Sequence, residues 1–384
     1  MKRAYIAVIL FYVIFHFIIP LVGYQIWGYI NLYANYEGYI GMTLNIVPLL
    51  FVCLIIWKRN TLEYNSYKFY DTVTIYFIVS LMISILKFIL SGGYEGALSG
   101  EGNGSILSFM SLFFSIDKAF IFLICFKKDL SRIGFWFLVY IISLTLLGSR
   151  SAIIGVLLAV IYLSLFPRFH QIFHKIKRYL LIFGVVSPFL FYIASSQRGD
   201  FDVDMLGKVI LGRVSFIGLS QVPISSSLSN DIDQNLFNMK YGITNQIKQS
   251  LNSITPIDFY EYDVSPNQYY RQVFLGARDR TDLDAYLSIN LTFPIYLVLI
   301  SNTFWGILLT VVILVFLFNF WVKHRNNQYL FFSILFCLYE VLYFFDLVMI
   351  IQNVFRTCLS LLTLNCFEKL YLILRYNYNK YLFK

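Results

Sequence analysis

TFWGILLTVVILVFLFNFWV, residues 303–322, decides what kind of protein this is. Twenty residues pass without one charged side chain, and Lys323 and Arg325 follow at once. As a helix rising about 1.5 Å per residue, such a run matches the roughly 30 Å hydrocarbon core of a bilayer. Comparable runs recur at 4–24, 39–57, 70–90, 106–126, 133–147, 152–166, 179–195, 329–348 and 355–374. The chain is 59% apolar and 13% charged, against about 25% charged for a soluble domain. The expected fold class is therefore all-α and polytopic, an integral membrane protein with about ten transmembrane helices and one large external loop.

The lysines and arginines give this bundle its expected orientation. Lys2/Arg3, Lys58/Arg59/Lys68, Lys127/Lys128/Arg132, Arg168/Lys175/Lys177/Arg178, Lys323/Arg325 and Lys369/Arg375/Lys380/Lys384 make 18 basic residues, all on alternate connections. Cytoplasmic loops carry the Lys/Arg excess, so these connections and both termini are expected in the cytoplasm. Met1-Lys2-Arg3 and the run after it resemble a signal peptide, but no small-x-small cleavage site ends the run. An uncleaved first span is the expectation. The opposite connections are poor in basic residues, and the net charge of +9 is an orientation signal rather than a nucleic-acid footprint.

Three parts follow: a seven-helix bundle at 1–195, a large external loop at 196–302, and a three-helix bundle with a basic tail at 303–384. The loop holds eight Lys/Arg against eleven Asp/Glu and no histidine. Within it, 204–217 and 238–254 read as helices and 260–270 as an extended aromatic stretch. The apolar piece 286–300, with Asn290 and Pro294, reads as re-entrant or interfacial, because a full span there would put Lys323 and Arg325 on the wrong side.

Charges at membrane depth draw attention because each costs about 2.5–3.5 kcal/mol on insertion scales. Arg150 sits in a tight hairpin, Gly148-Ser149-Arg150-Ser151, between two short spans. There a guanidinium meets headgroup phosphates and can hold one with two parallel hydrogen bonds. Asp117 and Lys118 read as mid-span in the fourth helix and Glu340 as mid-span in the ninth. A Lys118–Glu340 pair bracing the bundle is the plain reading, and a proton or ion relay is the sharper one. Lys87, Asp346 and Arg356 read as lying near external ends.

Arg198 and Arg213 flank Asp200, Asp202 and Asp204, and Arg278-Asp279-Arg280-Thr281-Asp282-Leu283-Asp284 closes the loop before the chain returns to the membrane. Such alternation is ordinarily a solvated, self-paired surface. Placed over the bundle mouth, its arginines can neutralise a leaving diphosphate, and Asp282 or Asp284 can accept a proton from an attacking hydroxyl. Tyr260, Tyr262, Tyr269 and Tyr270 offer flat faces with hydroxyl tips that suit sugars, or equally an interfacial belt. The Asp200/Asp202/Asp204 spacing lacks the glycine and closing glutamate of a calcium loop, and all five cysteines lie in apolar runs. No metal and no cofactor are expected.

The polytopic architecture, the Gly148-Ser149-Arg150 hairpin and the single Arg/Asp-rich external loop resemble the Wzy-type polymerases of bacterial surface polysaccharide. The resemblance implies a glycosyltransferase in the bacterial inner membrane, acting at its periplasmic face on an undecaprenyl-diphosphate-linked oligosaccharide. A growing glycan is transferred en bloc to a new repeat unit and undecaprenyl diphosphate is released. It implies diphosphate contacts for Arg150 and, by extension, Arg198, Arg213, Arg278 and Arg280. Implied partners are membrane lipids and a polysaccharide chain-length regulator, with no nucleic acid. Many members have two sizeable external loops and this chain has one. Competing readings are a lipid-linked oligosaccharide flippase, an O-antigen ligase, whose loop histidine is absent here, and a non-catalytic scaffold.

Overall fold

The computed structural model describes residues 69–90, 106–147, 234–252, 293–301, 303–343 and 347–382, with scattered single positions from 10 to 50 and from 156 to 182. Helices account for nearly all of these residues, and no strand occurs among them. In chain order the helices are α1 (Val73–Leu90), α2 (Ile106–Phe113), α3 (Ile116–Phe126), α4 (Ile133–Leu146), α5 (Gln234–Tyr241), α6 (Ile243–Asn252), α7 (Phe293–Ile300), α8 (Thr303–Lys323), α9 (Gln328–Tyr343) and α10 (Leu347–Leu382).

Among the described residues, four stretches are long and apolar enough to cross a membrane: Val73–Leu90, Phe109–Phe126, Phe304–Lys323 and Leu347–Tyr378. They correspond to the expected spans at 70–90, 106–126, 303–322 and 355–374. The protein is a helical membrane protein. α4, with 14 residues, and α9, with 16, fill the expected spans at 133–147 and 329–348 as shorter helices. The remaining expected spans (4–24, 39–57, 152–166 and 179–195) lie outside the described residues, scattered positions excepted. α10 departs from expectation: it begins at Leu347 and runs 36 residues, so the chain is already helical through 349–354, where a connection was expected.

Lipid exposure is visible along α1. Ile75, Ile78, Met82, Ile85, Leu86 and Ile89 are exposed on one side, while Tyr76, Phe77, Ser80 and Ile83 are buried on the other. A soluble monomer would not leave so continuous an apolar stripe in water. In a bilayer, aliphatic side chains face the acyl chains at no cost.

The chain divides into two compact units. The first comprises Glu63–Phe201, Arg325–Ser333 and Val354–Lys384. Its core is aromatic: Phe77 meets Phe120 and Trp136, Phe120 stacks on Tyr140 at 4.5 Å, and Phe122 and Phe126 meet Phe332. Gly134 lies so close to the Tyr179 ring that an added Cβ would come within 2.1 Å of it.

One end of this unit carries a polar network. The Tyr70 amide donates to the Phe126 carbonyl at 3.2 Å. Its hydroxyl donates to Asn365 Oδ1 at 2.6 Å, with Gln328 Oε1 at 3.3 Å. Glu368 accepts from the Asp71 amide, the Thr72 amide and the Thr72 hydroxyl, at 3.3, 3.1 and 2.7 Å. A helix start leaves four amides without intrahelical partners, so a carboxylate from α10 serves as cap for α1. Lys127 donates to Thr74 at 3.1 Å and lies over the Trp136 ring, and burial holds its ammonium below the usual lysine range. Asp129, exposed beside it, is held below the usual carboxylate range by the amide and hydroxyl of Ser131.

These contacts bring together the helix ends that the charge pattern assigns to one side. Residues 70, 126 and 328 meet directly, Phe166 meets Phe331 at 5.6 Å, and Tyr179 meets the start of α4. Alternation predicts this for segments that begin at 70, 133, 179 and 329 and end at 126 and 166.

The second unit comprises Met1–Leu62, Asp202–His324 and Ile334–Asn353. Here α7 packs against α5 and α8. α7 comprises Phe293–Ile300, and the rest of the 286–300 piece, expected to be re-entrant or interfacial, lies outside the described residues. The single helix expected over 238–254 is instead two, α5 and α6, divided at Gly242. A Cβ at Gly242 would approach the Asn238 carbonyl oxygen to 2.5 Å, so glycine permits the tight passage. Carbonyls freed at the end of α5 are taken up by side chains. Asn245 donates to Met239 O at 2.7 Å, Gln246 to Tyr241 O at 3.2 Å, and the Tyr296 hydroxyl to Tyr241 O at 2.9 Å.

Candidate functional site

The apolar stretch at 106–126 is not one helix. α2 stops at Phe113, Phe114 and Ser115 are non-helical, and α3 starts at Ile116. Ser115 is extended, at φ −77° and ψ 120°. α3 has 11 residues, about 16 Å, so the break falls near the middle of a roughly 30 Å core. Backbone groups freed at that depth must be satisfied by protein. Tyr76 of α1 supplies one partner, donating its hydroxyl to the Phe113 carbonyl at 2.6 Å.

Asp117 and Lys118 are therefore not mid-helix, as expected from sequence, but occupy the first turn of α3. A carboxylate there is favoured by the positive end of the half-helix. The Tyr140 hydroxyl of α4 donates to Asp117 Oδ1 at 2.8 Å. Lys118 is buried at 5% exposure, an uncommon state for a lysine. Arg356 of α10 lies within electrostatic reach of Asp117, and Lys87 of α1 within reach of Arg356. The Nε atom of Arg356 is buried and has no hydrogen-bond partner among the described residues.

Arg356 was expected near an external helix end. It lies instead nine positions beyond the start of α10, because that helix begins earlier than its hydropathy suggests. Lys87 is in the last turn of α1, as expected. The Glu340 side chain and Asp346 lie outside the described residues, so the Lys118–Glu340 pair is not addressed. What the structure adds is a broken span whose new helix start gathers acid, hydroxyl and guanidinium from α3, α4 and α10. Such a group can fix charge at membrane depth, relay a proton, or hold a polar ligand. A sequence signal for the break was present: Ser115 followed two residues later by Asp117 is a helix-start pattern.

The residues expected to carry chemistry in the external loop, namely Arg198, Arg213, Arg278, Arg280, Asp282, Asp284, Tyr260, Tyr262, Tyr269 and Tyr270, lie outside the described residues, as does Arg150. Among the described residues no group of three or more His, Cys, Asp or Glu could hold a metal ion. Comparison with family models, with characterised proteins and with solved structures finds no match.

Proposed function

We propose that this protein is a membrane-embedded glycosyltransferase that polymerises undecaprenyl-diphosphate-linked oligosaccharide repeat units at the periplasmic face of a bacterial inner membrane. The observation that carries the reading is the partition of charge. Eighteen basic residues fall on one set of alternating connections, and 196–302 falls on the other with the Arg/Asp clusters. The meeting of helix ends in the first unit supports that alternation.

In this mechanism Arg150, Arg198, Arg213, Arg278 and Arg280 hold the donor's diphosphate and stabilise it as it leaves. Asp282 or Asp284 accepts the proton of the acceptor hydroxyl. The anomeric carbon–phosphate oxygen bond of the growing glycan breaks, a glycosidic bond to the acceptor oxygen forms, and undecaprenyl diphosphate departs. Tyr260, Tyr262, Tyr269 and Tyr270 position the sugars. A chain-length regulator is the partner in this reading.

Deleting the gene should leave surface glycan capped at one repeat unit, and Arg150→Lys should restore little chain growth. Normal-length glycan in the deletion strain would overturn the proposal. The second reading, a lipid-linked oligosaccharide flippase, is favoured by the broken span with its buried Lys118, since interrupted helices with charged side chains are a transporter device. Under it the deletion strain accumulates lipid intermediates facing the cytoplasm.

A further inference from the structure

α5 and α6 are built inside out for a water-facing loop. On α6, Ile243, Ile247 and Leu251 recur every four residues and are 50, 43 and 38% exposed, while the polar Gln246 and Ser250 are 1 and 0% exposed. α5 continues the theme with Leu236 and Met239 exposed at 45 and 68% and Phe237 and Tyr241 buried. The buried polar residues have partners: Gln246 donates to Tyr241 O, and the Ser250 hydroxyl to Gln246 O at 2.7 Å. The outward apolar stripe is therefore not a by-product of a poorly packed segment.

Its position names what covers it. α5 is fastened to α7 by the Tyr296–Tyr241 hydrogen bond and by the approach of Phe237 to Tyr296. α7 packs against α8, and only residues 301 and 302 lie between them in the chain. At the start of α8, Phe304 and Trp305 are exposed at 69 and 53%, as expected of an aromatic belt where a span enters the interface. The exposed face of α5 and α6 is thus carried on helices fastened, through α7, to the end of a membrane span. The segment Gln234–Asn252 also holds Lys240 and Lys248 with no Asp or Glu. Lys248 follows Ile247 directly and can lay its stem along the apolar stripe while the ammonium reaches headgroups.

We propose that α5 and α6 form an amphipathic anchor that lies in the bilayer interface, with Ile243, Ile247 and Leu251 immersed among acyl chains and Lys240 and Lys248 at anionic headgroups. The anchor holds the large loop against the membrane, close to any lipid-borne substrate. The inference needs only that the chain is embedded in a bilayer, and it stands whether or not the polymerase reading does.

The test uses the full chain in vesicles of phosphatidylethanolamine and phosphatidylglycerol, with Ile247 replaced by the photo-crosslinker p-benzoylphenylalanine. A second variant carries the crosslinker at Ile243, and a third at Phe304 reports that the protein is properly inserted. With the Phe304 position yielding lipid adducts, the expected result is lipid adducts at 243 and 247 at comparable yield, enriched in phosphatidylglycerol. Lys248→Glu should abolish that enrichment. Crosslinks at 243 and 247 to protein instead, whether to another copy or to the same chain, would overturn the proposal. So would a lack of adducts there, which marks a water-facing stripe.

Discussion

Removing the hydroxyl of Tyr140 isolates one interaction at the broken span. Tyr140→Phe keeps the ring, which stacks on Phe120 at 4.5 Å with an interplanar angle of 7°, so packing between α3 and α4 is preserved. What is lost is the 2.8 Å hydrogen bond to Asp117. A hydrogen bond to a charged group is worth about 1.5–3 kcal/mol in soluble proteins. Side-chain hydrogen bonds between membrane helices average about 0.6 kcal/mol and reach about 1.7, because the unfolded chain in the membrane also finds partners. Asp117 is half-buried and retains the favourable helix start, which places the expected cost at about 1–2 kcal/mol. That is roughly a five- to thirtyfold fall in the folded-to-unfolded ratio, measurable by reversible unfolding in bicelles. Asp117→Asn keeps an acceptor for Tyr140 but removes the negative charge near Arg356, so its cost should fall sharply in an Arg356→Gln background. Equal stability of Tyr140→Phe and wild type, together with additive Asp117 and Arg356 effects, would refute the idea that these groups act as one cluster.

Three other outcomes follow from the same unit. Glu368→Ala removes the cap of α1 and should cost about 1 kcal/mol, as lost helix caps do; Thr72→Val in that background should add little, since the Thr72 hydroxyl has then already lost its 2.7 Å acceptor. Gly134→Ala drives a Cβ to 2.1 Å from the Tyr179 ring and should destabilise by about 1–3 kcal/mol, with Tyr179→Ala relieving the clash in a double-mutant cycle. Tyr70 is the pH probe. Burial is the main cause that raises its phenol above the usual value of 10.0, so its folded state holds the proton more tightly than the unfolded chain. Its contribution is complete below pH 10 and is lost as pH rises from there through the raised value. Melting curves at pH 8 and pH 11 should show an alkaline loss that Tyr70→Phe reduces; an unchanged loss would place its origin elsewhere.

The sequence alone determined the class of this protein. Hydropathy is a sum over residues, and a run such as 303–322 leaves a bilayer as the only solvent that suits it. Charge counts on alternate connections likewise give an expected orientation, because cytoplasmic loops carry the Lys/Arg excess. The loop chemistry around Arg278 and Asp282 is legible only as side-chain types. The tertiary structure decided what a sum cannot see. The apolar score of 106–126 is the same whether the helix is whole or broken at Phe114, and the break is possible because Tyr76, from another helix, takes up the carbonyl of Phe113. Asp117, Tyr140 and Arg356 stand far apart in sequence, and only the packing of α3, α4 and α10 makes them neighbours.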